Sequence, residues 1–69
     1  MEIRWEDGFT VEVRQADGTV VLSANREDLL SLARHLSDLA EAMPGTHLHY
    51  DAYNSLEEGS DELIIEKIP

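Results

Sequence analysis

Over its first 24 residues the chain alternates apolar and polar side chains with a period of two, broken by two Asp-Gly pairs, Asp7-Gly8 and Asp17-Gly18. This is the pattern of half-buried strands joined by tight turns. Matching of faces sets the loop lengths. A two-residue first loop would place Trp5 against Thr10 and Ile3 against Glu12, mixing apolar and polar side chains on one face. A three-residue loop over 6–8, with Gly8 left-handed, instead pairs Trp5 with Phe9, Ile3 with Val11 and Met1 with Val13. At the second turn a two-residue loop puts Val13 against Leu22, Val11 against Ala24 and Gln15 against Val20. The expectation is a three-stranded meander over residues 1–24, with Met1, Ile3, Trp5, Phe9, Val11, Val13, Val20, Leu22 and Ala24 on its apolar face.

The period then changes to that of a helix, over residues 25–43. Asn25 is a natural N-cap, Asp28 completes an approximate capping box, and Glu27 and Asp28 lie where the helix dipole favours negative charge. Leu29, Leu32, Ala33, Leu36, Leu39, Ala40 and Met43 fall on one stripe, with Arg34, Ser37, Asp38 and Glu41 off it. Pro44-Gly45 ends the helix, and strands are expected over 46–51 and 62–68, completing a C-terminal strand pair with an acidic loop. The predicted fold is a single α+β domain over 1–69: an antiparallel five-stranded sheet in the order βββαββ, with the helix packed on one face.

Length and composition narrow the function classes. Sixty-nine residues give one small core, too little for a deep catalytic pocket with support behind it. There is no cysteine, so neither a disulfide framework nor a thiolate zinc site can supplement that core. The net charge of -10 repels nucleic-acid backbones and anionic membranes and attracts a basic protein. High charge of one sign also serves solubility alone. Its clustering in "DAYNSLEEGSDE" favours a partner surface, with Asp51, Tyr53, Asn54, Glu57, Glu58, Asp61 and Glu62 as the candidate contacts. The N-terminus has no apolar run resembling a signal sequence and no stretch is long enough to span a membrane, so a cytoplasmic protein is expected.

Candidate chemistry is sparse. On a strand over 46–51, alternation turns Leu48 and Tyr50 to the core and His47, His49 and Asp51 away from it. Such a His-x-His-x-Asp face can chelate zinc or a similar ion, and it is equally an ordinary polar surface. His35 reads as a helix-surface histidine. No nucleophile elbow, glycine-rich phosphate cradle, HExxH helix or calcium-loop spacing occurs, so no catalytic residue and no cofactor is assigned. In "ELIIEKI", Leu63 and Ile65 alternate against Ile64 and Ile68, leaving apolar side chains on the open side of the sheet. Ile64 and Ile68 are the candidates for self-association as a homodimer, or for a foreign protein partner.

From Asn25 onward the chain resembles a known family. The helix "NREDLLSLARHLSDLAE" is followed by Pro-Gly and by "THLHYDAYNSLEEGSDELIIEK". The most specific parts are His47-x-His49-x-Asp51, Tyr53-Asn54-x-Leu56-Glu57-x-Gly59-Ser60 and Glu62-Leu63. This pattern, over residues 25–67, is similar to the bacterial family called Immunity protein 32, predicted antidotes encoded beside toxins of polymorphic toxin systems. The resemblance implies neutralisation of a toxin by tight binding, without catalysis or a cofactor. It transfers no individual functional residue.

Overall fold

The computed structural model describes residues 3–69. The elements run β1 (Val11–Ala16), β2 (Thr19–Ala24), α1 (Arg26–Ala40), β3 (His47–Tyr50) and β4 (Leu63–Glu66). They form two separate antiparallel pairs, β1 with β2 and β3 with β4, in the order ββαββ.

The first pair has the register that alternation demands, with Val11 opposite Ala24, Val13 opposite Leu22 and Gln15 opposite Val20. Asp17 and Gly18 turn the chain with positive φ angles of 50° and 77°, the two-residue hairpin that matches strand twist. Val11 and Val13 point inward and are buried, whereas Val20 at the far end is exposed. In the second pair Leu48 and Tyr50 are buried and His47 and His49 exposed, as period two requires. Register sets Tyr50 opposite Leu63 and His49 opposite Ile64. The core joins both pairs to the helix through Val11, Val13, Leu32, Leu39, Leu48, Tyr50 and Leu56.

The five-stranded βββαββ sheet expected from the pattern is not what forms. Residues 3–10 contain no strand, and the expected pairing of Met1 with Val13 lies outside the described residues. The predicted loop at residues 6–8 is present, with the Phe9 amide bonded to the Glu6 carbonyl at 3.2 Å and Gly8 at φ 80°. Trp5 and Phe9 stack with ring centroids 4.3 Å apart. The backbone before the turn, however, goes to the helix. The Glu6 amide donates to Ser31 Oγ at 2.8 Å, and the Arg4 carbonyl accepts from His35 Nε2 at 2.6 Å. The β1 edge that a preceding strand would have used is taken by the acidic loop, whose Glu57 and Asp61 amides donate to the Val11 and Val13 carbonyls at 2.8 and 2.9 Å.

The helix also sits differently from its apolar stripe. Asn25 caps it, its Oδ1 accepting the Asp28 amide at 3.0 Å, but the reciprocal half of the capping box is absent. The Asn25 amide instead donates to the Thr10 carbonyl at 3.2 Å, and the Asp28 side chain turns inward. Of the seven stripe residues only Leu32 and Leu39 are buried; Asp28, Ser31 and His35 fill the rest of the inner face. His35, expected on the surface, is enclosed. Trp5 packs edge-on against it, with centroids 4.6 Å apart.

Candidate functional site

The segment between β3 and β4 is built from its first residue. Asp51 Oδ1 accepts the amides of Tyr53 and Asn54 at 2.9 and 3.0 Å, and the Asp51 carbonyl accepts from the amides of Ser55 and Leu56 at 3.0 and 2.9 Å. Asn54 closes the turn from the other side. Its Oδ1 accepts the Asp51 amide at 3.1 Å, and its Nδ2 donates to the His49 carbonyl at 3.0 Å. This is a side-chain mimic of a backbone turn, which Asp and Asn perform best. Leu56 then drops into the core at 5% exposure. Beyond it the loop lies along β1, where Ser60 Oγ accepts the Val13 amide at 3.3 Å and Thr10 Oγ1 donates to Glu57 Oε1.

Of the expected partner contacts, Asp51 and Asn54 hold the loop's own backbone. Glu57, Glu58, Asp61 and Glu62 are exposed, and Tyr53 stands free in solvent at 99% exposure. Glu57 also borders an open groove of about 370 Å³ lined by Thr10, Val11, Glu12, Ser23, Ala24 and Asn25. Two carboxylates, Glu12 and Glu57, thus flank one depression.

The histidine pair divides. His47 and His49 share the outer face of β3, but Glu62 completes the donor group that forms around His49. His49 Nε2 lies 3.4 Å from Glu62 Oε2 and 3.8 Å from Asp51 Oδ2. One ligand atom of each of His49, Asp51 and Glu62 lies within 4.8 Å of the others. Register explains the grouping: with Tyr50 opposite Leu63, the next pair outward is Asp51 and Glu62, and His49 precedes Asp51 by two on the same face. His47 lies two pairs further in than His49, opposite Glu66, and takes no part.

A buried polar cluster escaped the sequence reading. Because a carbonyl only accepts, His35 Nε2 carries the proton it gives to Arg4, and His35 Nδ1 is hydrogen-bonded to the Tyr50 hydroxyl at 2.9 Å. Burial, and next the neighbouring Asp28 carboxylate, push the Tyr50 hydroxyl up to about 12. Asp28 is wholly buried, and neither of its oxygens has a hydrogen-bond partner among the described residues. Its pKa is raised by burial, a rise opposed by His35. Signals for the cluster lay in the spacing of Asp28, Ser31 and His35, which share one helical face. All three are shut off from reactants, so the cluster is part of the core.

The chain is a small acidic α+β domain whose carboxylate loop is held by hydrogen bonds to its own backbone and to β1. The family model of Immunity protein 32 matches residues 19–68 of the chain, and the protein belongs to that family. Membership points to a toxin-neutralising role. Comparison with curated proteins and with solved structures finds no match. The match takes in β2, α1, β3, the acidic loop and β4, extending the resemblance of residues 25–67 by a strand. No helix of the described residues is long and apolar enough to cross a membrane.

Proposed function

We propose that the protein neutralises a cognate bacterial toxin by laying the acidic loop, residues 51–62, over a basic surface of that toxin, without catalysis and in the cytoplasm. The observation that carries this reading is the framing of the loop. Leu56 in the core and the Glu57 and Asp61 amides on β1 fix a segment whose carboxylates face solvent, so little ordering remains to be done on binding. The net charge of -10 draws a basic partner in and speeds encounter. The groove between Glu12 and Glu57 has room for a lysine or arginine side chain, and the exposed Tyr53 ring is suited to anchor an interface. The test is the affinity for the toxic domain encoded in the neighbouring reading frame, measured against salt and with Glu57→Lys plus Glu58→Lys. The reading expects steep weakening with salt and about a 100-fold loss in the double variant. Affinity indifferent to both would overturn it.

A second reading, a small divalent-metal-binding protein, is favoured by the donor group of His49, Asp51 and Glu62. The amides on Asp51 Oδ1 fix its carboxylate with Oδ2 towards His49, the kind of outer-shell support that orients metal ligands. Titration of the purified protein with zinc decides it: uptake lost in His49→Ala supports the site, and no heat with no rise in Tm removes it.

A further inference from the structure

On a helical wheel at 100° per residue the apolar stripe of α1 is centred near Leu36, whereas the buried residues are centred about 80° away, near Asp28 and Leu39. The helix has therefore turned a mixed face inward and left its most apolar face outside. Leu29 is 55% and Leu36 46% exposed, with Ala33 and Ala40, also exposed, interleaved between and beyond them.

We propose that this face is the contact between two copies of the chain, packed as an antiparallel helix pair about a twofold axis. The spacing from Leu29 to Ala33, Leu36 and Ala40 runs four, three, four, the 3.5-residue repeat of a left-handed helix pair rather than of a helix lying on a sheet. Large and small side chains alternate along it. In an antiparallel register centred between Arg34 and His35, Leu29 meets Ala40 of the second copy and Leu36 meets its Ala33, so each leucine fills the space over an alanine. The same register brings the exposed Arg26 at the helix start beside the exposed Glu41 of the second copy, on the same flank of the seam. Antiparallel helices also oppose their dipoles favourably, while a parallel pair would place Arg26 against Arg26. One surface that complements itself in size and in charge fits a second copy better than an unrelated protein. None of these residues belongs to the acidic loop, so the pairing stands apart from toxin binding.

Sedimentation equilibrium of the full chain, from micromolar to a few hundred micromolar in moderate salt, reads the outcome. The proposal expects a mass rising from 7.8 kDa to twice that value, with Leu36→Glu shifting the dissociation constant upward at least tenfold while far-UV circular dichroism stays unchanged. Arg26→Glu and Glu41→Arg each weaken the dimer, and the two together restore it. A mass of 7.8 kDa throughout overturns the proposal. So does a dimer that ignores Leu36→Glu and dissociates on Ile64→Glu, which would move the contact to β4, or a charge swap that fails to restore.

Discussion

Two segments compete for the open edge of β1, and the one that looks like a strand loses. Residues 3–9 alternate apolar and polar side chains, yet they bond to the helix through the Arg4 carbonyl and the Glu6 amide. Residues 51–62 are polar, acidic and turn-rich, yet they occupy the β1 carbonyls through Glu57 and Asp61. The difference lies in the anchors. Trp5 is set among Phe9, His35 and Tyr50, which draws its backbone onto the helix. Leu56 enters the core beside Val11 and Val13, which draws the following amides onto β1. Alternation states which side chains share a face, but a buried side chain decides which backbone reaches an edge.

The most damaging way to break this arrangement is Leu56→Ala. Removing a leucine from a fully enclosed site costs the lost transfer energy and leaves a cavity, about 2–5 kcal/mol together. Urea unfolding should show that loss. In native-state hydrogen exchange the Glu57 and Asp61 amides should lose protection ahead of the β1–β2 ladder. Equal loss across the whole chain would mean that Leu56 is only one core residue among several and not the anchor of the loop.

Trp5→Ala should cost less, about 1.5–3 kcal/mol, since the ring is half-buried. Its pattern should be the reverse, with the loop amides still protected while the Glu6 amide exchanges freely. The two variants together show whether each segment is held by its own anchor.

The same contrast marks what was legible in the sequence. The β1–β2 register and the inward facing of Leu48 and Tyr50 follow from alternation and a two-residue Asp-Gly turn, both local signals. The start of α1 was readable from Asn25, but its end was not: the helix stops at Ala40, with Glu41 as its C-cap, short of the expected residue 43 before Pro44-Gly45. The rotation of α1 was not. On the polar inner face, Ser31 bonds to Glu6, and His35 to Arg4 and Tyr50, and these partners lie far along the chain, while the buried Asp28 carboxylate has no hydrogen-bond partner among the described residues. For the site, the acidic loop was visible as charge clustering and Asn54 by residue type as a side chain that bonds back to the loop backbone, whereas the amides gathered by Asp51 depend on turn geometry. Glu62 joins His49 only because Tyr50 pairs with Leu63, a register that no local motif encodes.

Asp28 tests the inner face of α1 through pH. Burial raises its folded-state pKa above the ordinary value, so the folded protein holds this proton more tightly than the unfolded chain. Its contribution to stability is thus fully present below the unfolded carboxylate pKa of about 3.9 and is lost as pH rises through the raised folded value. Asp28→Asn keeps the shape and removes the charge. Its Tm should match the wild type near pH 3 and exceed it towards pH 7, by several degrees if the buried carboxylate costs about 1 kcal/mol. A difference independent of pH would contradict a charge penalty at this position.

The smallest expected effect separates the two segments most finely. Gly8, in the turn after Trp5, and Gly59, in the acidic loop, both have positive φ, 80° and 88°, and an added Cβ would meet no atom within 4 Å at either. Substitution by alanine therefore imposes backbone strain without collision, about 1 kcal/mol in each case. Equal cost does not mean equal consequence. Gly59 sits between Glu57 and Asp61, whose amides hold the loop to β1, so relaxing its strain pulls directly on those two bonds. Gly8 lies beyond Trp5, away from those bonds, and its carbonyl accepts from Asn25 Nδ2 at 2.9 Å. Both alanine variants should lower stability alike in urea unfolding, while only Gly59→Ala speeds exchange of the Asp61 amide. If Gly8→Ala did so equally, the loop and the N-terminal segment would open as one unit, and their separate anchoring would be wrong.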